Sequence, residues 1–499
     1  MSRLAVFRCD ASPEIGGGHV MRSLVLADAL AEEGWRCLFA VGREAASTVP
    51  ALSATAHAVH VIEDGPPASE AAAVGELAEG DADLLVVDHY ERDAAFEAAA
   101  RAWARRVMAI DDLANRRHDC DLLLDQSPGR RATDYDGLVP HATARLIGPD
   151  YALLRPAFYQ ARQGSLAARG ANRPLRRVLV SFGMVDGKGM TLPALDALAQ
   201  LGLPLAADVT LGGSTPLRKQ IESRAQRLPF PVVLHQAVEQ MAALMLEADL
   251  AIGAAGTSAL ERCCLGLPSL AVVTADNQAA QARALADAGA VALAGRWDAV
   301  DSETLAASLR PLVLDGALRA EMALRAFAVC DGNGARRVVL AVAPEQDKDG
   351  LPVSLRLARG DDCETLFHWQ SAPGLRRWFR NAQAPTWDEH QAWFQQRLRQ
   401  LDGSLYVVER DGRPVGVVRL DGRDDDRFEL SVLVAPELTG MGIGTAALRS
   451  ARRLFRGTEM VAEVHQDNQP SHKAFQRAGF RLNGSGRYVS AAARGDHRP

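Results

Sequence analysis

Short apolar runs alternate with longer stretches of helical period through the first two-thirds of the chain. Leu4 to Arg8, Arg36 to Val41, Leu84 to Asp88, Val107 to Asp111 and Leu122 to Leu124 are rich in Val, Leu, Ile and Phe. Their near-continuous hydrophobicity is the signature of strands covered on both faces. The helical stretch from His19 to about Leu30 is typical of the segments between them, with Gly34 placed to end it. A polar stretch containing glycines and a proline, Arg162 to Pro174, interrupts the pattern. The alternation then resumes at Arg177 to Gly183, Ala207 to Gly212, Val232 to His235, Leu250 to Gly253 and Ser269 to Val273.

This order predicts an α/β fold of two parallel, Rossmann-like halves, residues 1–165 and 175–343, hinged at 162–174 and facing one cleft. A second polar linker, Ala343 to Pro352, precedes a third domain, residues 352–490, patterned differently. There a strand (Val353 to Leu357) and two helical stretches lead to a hairpin (Ser404 to Glu409, Pro414 to Leu420). A strand (Phe428 to Val434) and a helix from about Thr445 follow, and the tail after Ser490 is expected to be loose.

Composition narrows the classes. The 499 residues leave room for about three domains. The hydrophobic fraction of 48% and charged fraction of 24% are those of an ordinary globular protein. Seven cysteines (9, 37, 120, 263, 264, 330, 363), with no Cys-x-x-Cys pair, point to free thiols in a reducing compartment. The first strand begins within four residues, and no apolar run approaches a membrane span, so a cytoplasmic protein without a membrane partner is expected. The net charge of −6, with arginines dispersed rather than blocked, gives no footprint for nucleic acid. His89, His118 and His141 have no ligand spacing, and no metal is expected.

Two glycine-rich turns carry candidate chemistry in the paired halves. The first, Arg8 to Arg22, turns from a strand through Gly16, Gly17 and Gly18 into a helix opening at His19. Glycines let a ligand approach the backbone, and the free N–H groups of a helix start point into the same space. The positive helix end favours a neutral imidazole, which is competent as a base. The same residue also fits a helix-capping histidine in a tight turn. The second turn, Gly253-Ala-Ala-Gly256-Thr257-Ser258, offers N–H groups and two hydroxyls to a diphosphate, with Glu261 one turn inside for ribose hydroxyls. An ordinary turn with a Thr/Ser cap reads equally well. Gly183, Gly212 to Thr215 and Ala275 to Gln278 end other strands on the same rim, the edge where such folds bind ligands. Asp111-Asp112 is either an acid pair or a turn cap.

The loop Arg8-x-Asp10-Ala-Ser12, with Ile15-Gly16-x-Gly18-His19-x-Met21-Arg22, is followed by Val87-Asp88-His89-Tyr90, Asp111-Asp112, Cys120-Asp121, Asp125-Gln126 and Leu153-Leu154-Arg155-Pro156-x-Phe158. Together they resemble the UDP-sugar hydrolases of pseudaminic acid biosynthesis. The resemblance implies a glycosyltransferase B type fold related to MurG and release of UDP from UDP-2,4-diacetamido-2,4,6-trideoxy-β-L-altropyranose. It implies that His19 activates or positions water, with Tyr90 nearby and Asp10 orienting His19 or the sugar. Gly17, Gly18, Arg22, Gly183 and Asn277 would contact substrate, while Gly256, Thr257, Ser258 and Glu261 hold UDP. Met184 departs from the family, which usually has a second glycine there.

In the third domain, Thr439-Gly440-Met441-Gly442-Ile443-Gly444-Thr445 follows a strand and opens a helix. Its N–H groups suit a pyrophosphate. With Val461 to His465, Asn468-x-x-Ser471 and Phe475-x-x-x-Gly479-Phe480, it resembles the GNAT acetyltransferases. The opening Arg356-x-Ala358-Arg359-x-x-Asp362, with Trp369, Arg376 and His390-x-x-Trp393-Phe394, is similar to those acting on nucleotide amino sugars. The resemblance implies acetyl-CoA as co-substrate, held by Val432, Val434, Gly440, Gly442, Gly444, Thr445 and Asn468. Glu463 is the candidate base, with His465 on the same face; an exposed strand face is the alternative. Phe475 stands where the family often has a tyrosine that protonates the CoA sulfur. The combined expectation is a bifunctional enzyme that acetylates N4 of UDP-4-amino-4,6-dideoxy-N-acetyl-β-L-altrosamine and then hydrolyses the product. A UDP-sugar glycosyltransferase with an acetyltransferase or acyl-CoA-binding regulatory domain is the alternative.

Overall fold

The computed structural model describes residues 2–169, 173–212, 215–236, 238–401, 403–423, 427–484 and 486–490. Gly213 and Ser214 of the third rim turn, and the tail after Ser490, lie outside them. The chain divides into two compact units, Met1–Ala335 and Arg336–Pro499.

The first unit holds two parallel sheets. In the first, the strand order is Ala58–Val61, Arg36–Val41, Leu4–Cys9, Leu84–Asp88, Val107–Ile110, Leu122–Asp125 and Ala144–Ile147. The second runs Val232–Gln236, Ala206–Leu211, Arg177–Ser181, Leu250–Ala254, Ser269–Val273 and Ala292–Arg296. In each sheet the first strand lies between the second and the fourth, so the chain winds outward in both directions from it. The loops leaving the first and fourth strands therefore diverge and open a crevice. In the first sheet those loops begin at the pair Cys9↔Asp88, and in the second just past Gly253↔Ser181.

The central strands match the apolar pattern because both faces are covered: Val6, Phe7, Leu85 and Val86 are fully buried, as are Val180 and Ile252. Three edge strands lie outside the pattern. Ala58–Val61 is mostly exposed, Ala144–Ile147 and Ala292–Arg296 only half-buried, so their side chains carry no continuous hydrophobic signal. The expected hinge also differs. Pro156–Ala168 is a helix whose Arg162 donates to the carbonyls of Cys264, Cys330 and Phe327, and whose Ser165 donates to that of Leu265. These bonds tie the helix to the second sheet's side, so the passage between halves precedes it. All seven cysteines are free thiols. Among the described residues no helix is long and apolar enough to cross a membrane.

The second unit is one eight-stranded sheet: Glu345–Gln346, Pro352–Leu357, Gly403–Arg410, Arg413–Gly422, Arg427–Val434, Glu459–Glu463, Arg487–Val489 and Arg481–Leu482. The stretch expected to be a linker thus supplies an edge strand, Glu345–Gln346, antiparallel to Pro352–Leu357. All neighbours are antiparallel except Arg427–Val434 and Glu459–Glu463, which run parallel and pair only from Arg427↔Glu459 to Glu429↔Val461. Beyond Glu429 the two strands part. The helix Ile443–Leu454 buries Ile443, Ala447, Leu448, Ala451 and Leu454 along one stripe, while its other face carries Arg449, Arg452 and Arg453.

Candidate functional sites

The helix Gly18–Ala31 starts from Gly17 and ends with Gly34 in the left-handed region, where Trp35 N–H donates to the Leu30 carbonyl in a Schellman-type close. The three glycines before His19 differ in purpose. Gly16 has φ +77°, which its turn requires. At Gly17 an added Cβ would lie 2.6 Å from Met184 Sδ and 2.7 Å from Val49 Cγ2, so close packing demands glycine. Gly18 faces open space.

His19 is 6% exposed, and its Nδ1 has no hydrogen-bond partner among the described residues. Its proton affinity is lowered, first by burial; Asp88 opposes this and Arg22 adds to it. The neutral imidazole expected from the helix end is thus favoured chiefly by burial. The Tyr90 ring stands edge-on to the imidazole with centroids 4.5 Å apart. Burial raises the proton affinity of its phenol, which remains protonated. Asn277, from the opposite half, donates to the Tyr90 hydroxyl at 2.7 Å. His19, Tyr90 and Asn277 therefore converge, and Met184 meets Gly17 across the same crevice.

Asp10 and Arg22 are both held by partners within the first half. Asp10 accepts from Gly42 N–H at 2.5 Å and Arg8 Nη1 at 2.8 Å, and faces His89 Nε2 at 3.4 Å. Its two oxygens are thus engaged away from His19. Against the cost of burial, the His89 hydrogen bond and the Arg8 charge bring its pKa down to about 2. Arg22 is 5% exposed and forks onto Asp88 at 2.6 Å twice, with Asp112 at 3.3 Å. A bidentate pair this buried commits one edge of the guanidinium to Asp88. His89, which sequence reasoning set aside, enters here together with Asp88 and Asp112. His89 accepts from Glu91 N–H through Nδ1, which leaves its Nε2 proton for Asp10. Asp88 and Asp112 form the charge pair around Arg22. Asp111 does cap its turn, accepting from Ala114 N–H at 2.7 Å.

In the second half, Gly256 precedes the helix Thr257–Cys264, and Thr257 and Ser258 are half-buried at its start. Gly253 is forced by strand packing, since a Cβ there would come within 2.3 Å of the Ser181 carbonyl oxygen. Glu261 lies 3.9 Å from Arg155, and burial raises its proton affinity despite that neighbour. Gly183 has φ +85° and faces open space.

In the second unit the turn before Ile443–Leu454 uses Gly440 and Gly442 at φ +93° and +89°. The backbone N–H of Lys348 donates to the Met441 carbonyl at 2.9 Å and its Nζ to that of Gly440 at 2.5 Å, holding the turn from one side. Gly444 lies over Val434, where an added Cβ would sit 3.6 Å from Cγ2, and Thr445 is half-buried beside it. Val432 and Val434 are half-buried where their strand pairs with Arg413–Gly422 on one side and has parted from Glu459–Glu463 on the other. Asn468 accepts from Ser471 N–H at 3.2 Å and caps the helix Gln469–Arg477. Glu463 pairs with Arg380 at 2.7 Å and Arg487 at 2.6 Å; against the small cost of burial these two arginines lower its proton affinity. His465 follows the strand, with the Trp378 ring edge-on at 5.5 Å. Phe475 is buried against Phe480 and Tyr488 at 5.1 and 5.2 Å.

Two doubly wound parallel sheets whose glycine-rich rims meet across a crevice, and a mixed sheet that parts beside a glycine-rich turn, define the class. It is a MurG-like glycosyltransferase B type unit joined in one chain to a GNAT acetyltransferase domain. Residues 212–337 match the glycosyltransferase family 28 C-terminal domain, and residues 353–481 match the acetyltransferase (GNAT) domain.

Among curated relatives, the chain is 31% identical over 195 residues to the spore coat polysaccharide biosynthesis protein SpsG of Bacillus subtilis, covering 38% of this chain and 56% of that protein. It thus spans little more than half of that relative's length. It is 26% identical over 286 residues to the UDP-2,4-diacetamido-2,4,6-trideoxy-beta-L-altropyranose hydrolase of Campylobacter jejuni, covering 57% of this chain and 96% of that protein. The crystal structure of Acinetobacter baumannii MurG aligns with a TM-score of 0.51 at 18% identity, covering 68% of this chain and 99% of that one. At that identity the likeness shows the fold.

Proposed function

We propose that the chain catalyses two consecutive steps on a UDP-linked amino sugar: acetyl-CoA-dependent acetylation of N4 by the second unit, then hydrolytic release of UDP by the first. The observation carrying the hydrolase reading is the convergence of a buried, neutral His19 with Tyr90 and Asn277 from opposite rims of the crevice. Similarity to the C. jejuni hydrolase supports the substrate, UDP-2,4-diacetamido-2,4,6-trideoxy-β-L-altropyranose.

In this reading His19 takes a proton from water as the water oxygen bonds to the anomeric carbon. The bond from that carbon to the diphosphate oxygen breaks, and UDP leaves with the electron pair. Gly256, Thr257 and Ser258 hold the departing diphosphate with N–H groups and hydroxyls, and Glu261 accepts from ribose. Tyr90 and Asn277 orient the sugar.

In the acetylation the amine nitrogen attacks the thioester carbonyl, the carbon–sulfur bond breaks, and the CoA thiolate leaves. The residues of the turn fit CoA: backbone N–H groups at Gly440 to Thr445 suit its pyrophosphate, and Val432 and Val434 lie where their strand has parted from Glu459–Glu463. Glu463 and His465 are the sequence-derived acceptors of the amine proton.

The test is incubation with UDP-4-amino-4,6-dideoxy-N-acetyl-β-L-altrosamine, with and without acetyl-CoA, following UDP and sugar by mass and NMR. UDP release that requires acetyl-CoA, with acetylated UDP-sugar accumulating in His19→Ala, is the expected result. The match to a glycosyltransferase domain favours a second reading, transfer to an acceptor. Acetylation without UDP release in the absence of any acceptor supports that one.

A further inference from the structure

The turn that opens the helix Thr257–Cys264 has a guanidinium beneath it. Ser258 and Arg262 stand four residues apart on one face of that helix, and helical side chains lean back towards the N-terminus. A long side chain at position 262 therefore brings its head group to the helix start. There Arg262 Nη2 donates to the Ala254 carbonyl at 2.7 Å and Nη1 to Ser258 Oγ at 3.3 Å. Gly253 leaves room for it, since a Cβ there would come within 3.0 Å of Nη1.

No carboxylate pairs with this cation among the described residues. Arg262 is 1% exposed, and its Nε has no hydrogen-bond partner there. Burial lowers its proton affinity, and the attraction of Cys263 and Glu261 offsets this only in part. Glu261 is itself shared with Arg155, 3.9 Å away. The location adds to the cost, because a helix start is the positive end of the macrodipole and repels a cation. Other buried arginines of the first unit are placed differently. Arg8 is answered by Glu70 and Asp10, and Arg22 by Asp88. Arg169 donates to the carbonyls of Met245 and Ala248, at the negative end of the helix Met241–Glu247. Arg262 alone among these four is a buried cation at a positive helix end, under glycines and hydroxyls that face the crevice. An anion bound on that turn relieves all of these terms at once.

We propose that Arg262 is the buried counter-charge of a nucleoside diphosphate held at Gly256 to Ser258, and that it orients the Ser258 hydroxyl towards it. This rests on the hydrolase reading above and names a positioning residue behind the turn. Because Nη1 donates to Ser258 Oγ, the hydroxyl proton is left to point at a phosphate oxygen. The charge of the diphosphate then compensates the guanidinium, which water does not reach. As the bond from the anomeric carbon to the diphosphate oxygen breaks, negative charge grows on the leaving UDP, and the attraction from Arg262 grows with it.

The test measures dissociation constants for UDP and for uridine, by calorimetry and ligand-observed NMR, in the full wild-type chain, Arg262→Met and Arg262→Lys. Arg262→Met keeps an apolar stem and removes the charge. It is expected to bind UDP about tenfold or more weakly while its uridine affinity stays within about twofold of wild type. A merely structural arginine would weaken both ligands together. Arg262→Lys keeps the charge but cannot fork onto Ala254 and Ser258, so its UDP affinity should fall between the two. Equal losses for UDP and uridine in Arg262→Met, or no loss for UDP, overturn the proposal. If the methionine variant does not fold, the lysine variant decides, and a UDP-to-uridine affinity ratio equal to that of wild type overturns it. A wild-type chain that binds UDP no more tightly than uridine overturns the diphosphate reading of the turn itself.

Discussion

Replacing Arg22 with methionine is the most direct test of how the first site is held. The guanidinium and its Asp88 partner are 5% and 1% exposed, joined by two 2.6 Å bonds, with Asp112 at 3.3 Å. Methionine keeps the length and removes the charge, which deprives the buried Asp88 carboxyl group of its cation. Breaking a buried pair from one side costs about 3–5 kcal/mol. At about 2–4 °C per kcal/mol, Tm falls by roughly 10 °C. The double variant Arg22→Met/Asp88→Leu removes both charges and should regain most of that loss. Because Asp88 raises the His19 proton affinity and Arg22 lowers it, the single variant also makes His19 easier to protonate. Scanning calorimetry gives the first quantity. The pH dependence of His19 carbethoxylation by diethyl pyrocarbonate, read by mass spectrometry, gives the second. A loss below about 1 kcal/mol, or a double variant no more stable than the single, would refute a buried pair as the support of this site.

Other outcomes follow from the same geometry. Asp10, whose pKa falls from 3.8 to about 2, contributes roughly 2 kcal/mol at neutral pH. Asp10→Asn should lose that amount at pH 7 in denaturant titrations, with the difference from wild type shrinking as pH falls below 3.8. His19 binds its proton less readily folded than unfolded, where it titrates near 6.5. Its contribution is therefore complete above pH 6.5 and lost as pH falls below it, and His19→Gln should flatten the stability profile there. Met184→Gly removes the thioether that covers Gly17 and should speed His19 carbethoxylation at fixed pH; an unchanged rate means the cover lies elsewhere. Gly442→Ala places a side chain at φ +89° and a Cβ 3.1 Å from Lys348 Cγ. A strain of about 1–2 kcal/mol corresponds to CoA binding weaker by about tenfold, measured by calorimetry.

Local chemistry was legible in the sequence wherever short range decides it. The central strands, the glycine turns at Gly16 to Gly18 and Gly440 to Gly444, and the helix starts at His19 and Thr257 depend on neighbours a few residues away. Periodicity and backbone freedom reveal them directly. The edge strands Ala58–Val61, Ala144–Ile147 and Ala292–Arg296 did not show, because a strand half in solvent has no apolar run to mark it. Charge partnerships were also hidden. Asp10, expected to orient His19 or the sugar, binds Arg8, His89 and Gly42, and Arg22, expected on substrate, holds Asp88. Arg8 is a near neighbour of Asp10, but Gly42, His89 and, for Arg22, Asp88 lie 32 to 79 residues away, and Coulomb energy depends on distance in space. The same holds for Arg380, brought onto Glu429 from 49 residues away. Sequence alone thus determined which backbone segments form turns that suit a ligand, since that follows from local sterics. Only the tertiary structure decided which ionised side chains are neutralised and which remain free to act.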